Sequence, residues 1–413
     1  MNTFTIIFLF LLGLSLLIEI WLANRHIRHV AANRAAVPKV FHRKIALEDH
    51  QKAADYTIVH ARFGRIQDAY STVLLLIWTL GGGLEWLDRM WRGLGLGELE
   101  TGVGFIMSAF FIMGLVELPL SVYQTFVIEN RFGFNKTTPG LFIADLLKKT
   151  ALLTILGAPL AMAALWLMQE TGALWWVYVW LLWSGFTLFL VWAYPALIAP
   201  IFNKFTPLKD DSVRERIQAL LKRTGFRSRG IFVMDGSRRS AHGNAYFTGF
   251  GKTKRIVFFD TLLQHLGEKE IEAVLAHELG HFKRRHVMKR MALTFSMSLI
   301  GLAILGWLVT QSWFYAGLGM TVPSTYAALM LFMLIGPVFT FFLQPVIAWG
   351  SRRHEYEADS FDAEQTDASE LVSALVKLYK ENASTLTPDP LHSAFYDSHP
   401  PASLRIAHLT GKT

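Results

Sequence analysis

Seven stretches of this chain are long and apolar enough to cross a bilayer, and they limit its fold more than any other feature. The first runs from Phe4 to Ala23, and the others are centred near Ile77, Phe111, Met162, Leu188, Leu302 and Leu334. Each extends for about 20 residues, the length a helix needs to span the hydrocarbon core. In lipid the backbone amides must find partners within their own segment, so such runs fold as helices. Composition agrees, since 52% of the residues are hydrophobic and 17% charged, the balance of a membrane protein. The run near Ile77 carries Gly81-Gly82-Gly83 and is the most interrupted. The first run lacks a basic leader and a small-residue cleavage site, so it reads as a retained anchor.

Basic residues set the orientation. Arg25, Arg28, Arg34, Lys39, Arg43 and Lys44 follow the first run, and Arg131, Lys136, Lys148 and Lys149 follow the third, whereas Gln311–Ser324 carries no charge. The positive-inside bias then puts the N-terminus outside and the basic loops and C-terminus in the cytoplasm. The net charge of +8 is explained by this bias and by attraction to anionic lipid. No basic stretch is interleaved with exposed aromatics, so nucleic acid is not an expected partner. The chain has no cysteine, which fits a reducing or bacterial setting. The expectation is an integral multi-pass protein with its active site on the cytoplasmic side, in a bacterial inner membrane in preference to the endoplasmic reticulum.

The chemistry is concentrated in Ala276-His277-Glu278-Leu279-Gly280-His281, inside a helical run beginning near Glu268. His277 and His281 are four apart, so on a helix they share a face and can hold one zinc ion. Glu278 is placed to reach the attacking water as general base, the logic of an HExxH motif. A third ligand is offered by Arg352-Arg353-His354-Glu355-Tyr356-Glu357-Ala358-Asp359. On a helix Glu355 and Asp359 also share a face, Glu355 to bind the metal and Asp359 to take the far N–H of a ligating histidine. Glu357 points elsewhere on that helix and reads as solvated. Two histidines and a glutamate leave a fourth position open, as catalysis needs, and the absence of cysteine removes the usual ligand of closed structural sites.

Asn203–Val287 is the one sizeable soluble block between apolar runs. Asp211–Thr224 has helical period and is closed by Gly225, a fitting C′ residue. Ile231–Asp235 reads as a strand, and Asn244–Thr248 with Lys254–Phe259 as a hairpin around Gly249–Lys252. A strand edge beside a zinc site can hold an extended peptide, which makes Asn244, Ala245 and Tyr246 candidate substrate contacts. Tyr194-Pro195 and Pro200 mark a kinked exit of the fifth span. Glu117, an ionisable residue inside the third span, should face a polar interior. Both ligand helices are expected to continue transmembrane helices. Beyond them Asp367-Ala368-Ser369-Glu370 opens a helix to about Asn382. His399 and Arg405, flanking a Pro-Pro turn, can aim donors at the zinc site.

These residues together resemble the integral-membrane type I CAAX prenyl endopeptidases, zinc metalloproteases of the gluzincin class. The matching segments are Phe126–Asn135, Tyr194-Pro195, Ile198–Leu208, Ser240–Phe250, Arg255–Leu263, His277–His281, Ser351–Asp359 and His399–Arg405. They cover nearly the whole chain in the family's order. The resemblance implies a mainly α fold of seven transmembrane helices enclosing a chamber, with a cytoplasmic α+β metalloprotease domain. It also implies that Asn244 and Ala245 lie on the strand that pairs with substrate, and that His399 and Arg405 stand beside the reacting carbonyl. Members of that family remove the last three residues of a prenylated Cys-a-a-X end. This chain's own Gly411-Lys412-Thr413 end is no such substrate.

The expected organisation is five transmembrane helices with cytoplasmic loops over 1–202, and a metalloprotease segment with the hairpin and HExxH helix over 203–288. Two further spans follow over 289–350, then the Glu355 helix and a C-terminal cytoplasmic segment over 351–413. The expected function is a membrane endopeptidase with one catalytic Zn2+, acting on peptide or protein substrates that include prenylated ones, with the bilayer as its other partner. Two alternatives compete. One is a quality-control zinc protease of broad specificity. The other is a seven-span transporter with an incidental metal, against which stand the absence of an internal repeat and the placing of the metal motifs at helix ends on one side.

Overall fold

The computed structural model describes residues 2–248 and 255–411. Among them six helices are long and apolar enough to cross a membrane: Thr3–Asn33, Glu98–Glu129, Pro139–Glu170, Gly172–Phe202, His286–Leu308 and Thr325–Gln365. They account for six of the seven apolar runs. The seventh, near Ile77, closes the helix Leu47–Trp78. That helix is long, but Glu48, Asp49, Lys52, Asp55, Arg62, Arg65 and Asp68 occupy its first two thirds. Its apolar part stops at the turn after Trp78, so by composition it does not qualify as a span.

The helical half has its own core, in which Phe8 and Leu12 of the first helix meet Phe105, Leu165, Phe314 and Leu331. Charges buried at one end of this core are all paired, as burial requires. Glu85 accepts from the Thr321 amide and hydroxyl at 2.8 and 2.6 Å. Asp88 accepts from the Tyr326 hydroxyl at 2.7 Å and pairs with Arg92. Where Pro195 removes a backbone donor, Tyr194–Ile198 forms a π-helical turn before the short helix Ala199–Phe202. This is the kinked exit expected from the prolines.

The soluble half is a small sheet covered by helices. Its strands are β1 (Phe205–Pro207), β2 (Ile231–Met234), β3 (Ala245–Thr248) and β4 (Arg255–Phe259), in the order β1-β2-β4-β3. β2 and β4 run parallel with Ile231 opposite Ile256, and β3 runs antiparallel to β4 with Ala245 opposite Phe258. β3 is therefore an edge strand among the described residues. The expected turn Gly249–Lys252 lies outside them. β1 was not legible, because Pro207 argues against a strand.

Ile256 and Phe258 of β4, Ile217 and Leu220 of the helix Asp211–Thr224, Leu275 and Leu279 of Glu268–Lys283, and Phe361 and Leu371 form one apolar core. Asp210 caps the helix Asp211–Thr224, and Gly225 closes it in the left-handed conformation at φ 73°. Glu270 takes the Gly267 amide at 2.7 Å and also Ser373 and Lys377. It thereby ties the start of the histidine helix to Ala368–Glu381.

Two joints matter for the site. Gly280 packs on the helix Gln344–Gln365 so closely that a Cβ there would meet the Ala358 Cα at 2.9 Å and its carbonyl oxygen at 3.1 Å. The second joint corrects the expectation that the histidine helix runs on into a span. The chain breaks between Glu268–Lys283 and His286–Leu308, with Arg285 in the left-handed region at φ 58°. The Glu355 helix does continue from a span, through the single 3-10 turn Phe341–Leu343.

Because the atoms facing Gly280 are backbone, they cannot swing aside. Gly280→Ala should lower stability by about 1–3 kcal/mol, the usual cost of overpacking. Thermal unfolding of the metal-free protein in detergent would read it, with Gly336→Ala, where a Cβ meets nothing within 4 Å, as the neutral control. Identical melting of the Gly280 variant and wild type would show that the two helices do not meet at this point.

Candidate metal centre

The centre is assembled by two helices crossing at Gly280 and Ala358. One turn of Glu268–Lys283 carries His277 and His281, whose Nε2 atoms lie 3.3 Å apart. From the facing helix Glu355 brings Oε2 to 3.5 Å from His277 Nε2 and Oε1 to 3.4 Å from His281 Nε2. One donor atom from each of the three residues falls within a 4.8 Å cluster. Glu355 is 4% exposed, and its Oε2 is buried without a hydrogen-bond partner. A cation among these atoms would satisfy that oxygen and separate the two imidazole nitrogens. Two imidazoles and one carboxylate are the donor set of a catalytic zinc site, so the residues present fit the metal.

The expected support behind the ligands is present. His277 Nδ1 lies 2.9 Å from Asp359 Oδ1, and Asp359 is fully buried. Arg405 grips Asp359 through Nε at 2.9 Å and through Nη2, with Nη1 3.7 Å from Glu355. Its Nη2 is also 3.3 Å from His277 Nδ1. With Nε2 turned to the metal position, Nδ1 carries the hydrogen and donates to Asp359, so the Arg405 contact is one of proximity. Burial pushes the His277 pKa down, but the Asp359 and Glu355 carboxylates outweigh it and lift it to about 9.

His399 reaches the same place from the C-terminal turn, its Nε2 3.4 Å from Glu355 Oε1 and its Nδ1 2.9 Å from the Ser398 hydroxyl. Its side chain is 63% exposed on the open side of the centre. Glu278 is half-buried between the two histidines of its helix. Glu357 is the correction here. It does not stand free in solvent, because its Oε2 is 3.0 Å from His286 Nε2, and His286 Nδ1 in turn meets His281 Nδ1 at 2.9 Å.

The edge strand lies beside this centre, with the Phe247 ring against Phe282 at 5.4 Å. Asn244 is exposed, and its Oδ1 takes the Ala245 amide at 2.8 Å. Ala245 and Phe247 pack on the core shared with the histidine helix. Strand alternation therefore turns Tyr246 to the opposite face. There it lines a cavity of about 300 Å³ with Pro195, Phe232, Arg255 and Val257, so its side chain does not look toward the metal position. The loop before the strand is held by residues the sequence did not single out. His242 stacks on Phe134 at 4.3 Å, and Asn382 Oδ1 accepts the Gly243 amide at 3.0 Å. Sequence spacing carries no signal for either contact, because the partners lie more than 100 residues away.

The model for the CAAX prenyl protease N-terminal domain of five membrane helices matches residues 26–204, and that for peptidase family M48 matches 207–413. The CAAX prenyl protease 1 homolog of Arabidopsis thaliana is 35% identical over 397 residues, 91% of either chain. CAAX prenyl protease 1 of Saccharomyces cerevisiae is 32% identical over 401 residues, 90% of this chain and 88% of that one. The crystal structure of S. mikatae Ste24p superposes with a TM-score of 0.92 at 29% identity, covering 99% of both chains. With those two models spanning nearly its whole length, the chain belongs to the M48 peptidases of the CAAX prenyl protease 1 type and is a membrane metallopeptidase.

Proposed function

We propose that the chain is a zinc endopeptidase that removes the C-terminal tripeptide from prenylated Cys-a-a-X substrates at the cytoplasmic face of its membrane. The observation that carries the chemistry is the cluster of His277, His281 and Glu355, with His399 beside it. The relatives' names, CAAX prenyl protease 1, supply the substrate class. The basic loops support the cytoplasmic face, and the cysteine-free sequence is the ground for preferring a bacterial inner membrane. Glu117, exposed within the span Glu98–Glu129, supports a water-filled chamber, since a carboxylate facing lipid is costly. Seven spans are reached if the helix Leu47–Trp78 crosses with the turn and helix that follow it.

With zinc held by His277, His281 and Glu355, the centre gains a Lewis acid that polarises the scissile carbonyl and acidifies the attacking water. Glu278 takes the proton from that water and hands it to the leaving amine. His399, exposed on the open side, donates to the carbonyl oxygen as it gains charge. Arg405 has its guanidinium engaged with Asp359, so its part is to hold Asp359 and through it the ring of His277. The substrate lies as an extra strand along β3, where its backbone takes over the Ala245 amide and the released Asn244 side chain pairs with the substrate backbone.

Replacing Glu278 by Gln should leave zinc bound while turnover falls about 10²–10⁴-fold, the contribution of a general base. Metal analysis alongside peptide cleavage reads both, and near-normal turnover with one bound zinc would sink the assignment. Glu355→Ala should lower zinc content. On the strand, Asn244→Ala should cost about 1–3 kcal/mol of transition-state binding, roughly a 5- to 150-fold fall in kcat/KM. Ala245→Pro should be worse, because it deletes the donor that the substrate needs. Unchanged kinetics in both would return the hairpin to scaffold. For the substrate class, matched peptides with and without the prenyl group should differ, the prenylated one being cut faster. Equal rates would favour a protease of broad specificity.

A further inference from the structure

From these contacts we infer that His286 and Glu357 are positioning residues for the metal centre, forming a relay that orients His281 as Asp359 orients His277. The inference rests on the reading of His277, His281 and Glu355 as zinc ligands. His281 turns Nε2 toward His277 and Glu355, so its Nδ1 carries the hydrogen. The atom facing that Nδ1, at 2.9 Å, is His286 Nδ1. Two ring nitrogens at this distance need one hydrogen between them, so His286 Nδ1 accepts and its own hydrogen sits on Nε2. Glu357 Oε2 is 3.0 Å from that Nε2 and accepts it. The chain of donors is thus directed from His281 through His286 to a carboxylate. An imidazole whose far N–H is held by such an acceptor is fixed in orientation and made a more basic ligand.

The backbone shows how the relay is built. On an unbroken helix a residue five beyond His281 would sit about 140° away from it around the axis. Arg285, with φ 58° and ψ 33°, breaks the helix and brings His286 round onto its neighbour. His286 is 2% exposed and stacks on His354 at 4.1 Å, with ring planes 14° apart. Glu357, two residues from Glu355, cannot share its face, but it stands on the flank that the turned-back His286 reaches. Lys289 Nζ, 3.9 Å from Glu357 Oε2, further favours the carboxylate. One helix therefore supplies the ligand Glu355 and the acceptors that orient both histidines.

The test uses the full chain in detergent, stripped with a chelator and titrated with zinc against a chelating dye, and with cobalt(II) followed by its visible spectrum. Glu357→Ala and His286→Phe should each weaken zinc binding about 10- to 100-fold and alter the cobalt spectrum. His286→Asn, which keeps an acceptor near the Nδ1 position but loses the ring, should bind zinc more tightly than His286→Phe, which keeps the stack on His354 but loses the acceptor. A purely packing role predicts the reverse order. Glu357 has a side chain 39% exposed, so its variant tests the relay without opening the core. Zinc affinity within about twofold of wild type in Glu357→Ala and His286→Phe, well below the usual effect, or the reverse order at His286, would overturn the inference. A wild-type protein that binds no zinc would instead bring down the metal reading and the relay with it.

Discussion

The contact between Gly280 and the backbone of Ala358 is the constraint on which the centre depends. It sets the separation of two helices whose functional side chains are each spaced four apart, His277 with His281 and Glu355 with Asp359. At that separation the two oxygens of Glu355 can address both histidines, and Asp359, one turn further on, meets the far side of His277. A larger residue at 280 would move the whole carboxylate row away from the whole histidine row. The glycine of the motif is therefore part of the site's geometry although it carries no chemistry.

The charges explain why such an arrangement takes a cation. Glu355 and Asp359 bring two negative charges into a nearly dry space, and Arg405 returns one positive charge. With neutral imidazoles the centre is left one charge negative, which a buried site does not tolerate without a counterion. The raised pKa of His277 has the same origin, since a proton answers the field when nothing else does. A divalent ion displaces that proton and reverses the sign of the centre.

How far the site could be read from the sequence depended on whether its parts lie on one helical face. His277, His281, Glu355 and Asp359 obey a four-residue spacing, and the structure brings all of them together. His399 was placed by the order of the family's segments and does stand at Glu355. Glu357 and His286 were missed because they break the spacing. One is on the wrong face, and the other is reached only through a left-handed residue, Arg285, that nothing in a run of basic side chains announces. The helices and strands around the site followed period and caps, as Gly225 and Asp210 illustrate. The misses were β1, where pairing overrides a proline, and Tyr246, where alternation decides the face. The run at Ile77 is the least regular, six apolar residues, Val73–Trp78, ending a helix whose first two thirds carry charges.

The spans differ in how much of their surface is buried, and this difference suits the proposed task. In the spans Gly172–Phe202 and His286–Leu308 only 11% of the apolar window is buried, whereas in Thr325–Gln365 the share is 39%. The helix that carries Glu355 is thus anchored in both cores, and the other spans have much of their surface free to meet lipid or an enclosed space. The histidine helix is separated from its span by the break at Arg285, and His286 at the head of that span is hydrogen-bonded back to His281. A substrate with a long apolar group needs spans that can yield around it. The hydrolytic centre needs ligands held to a fraction of an ångström. Anchoring the Glu355 span in both cores and tying the histidine helix to its own span through His286 holds the ligands while the outer faces of the spans stay free.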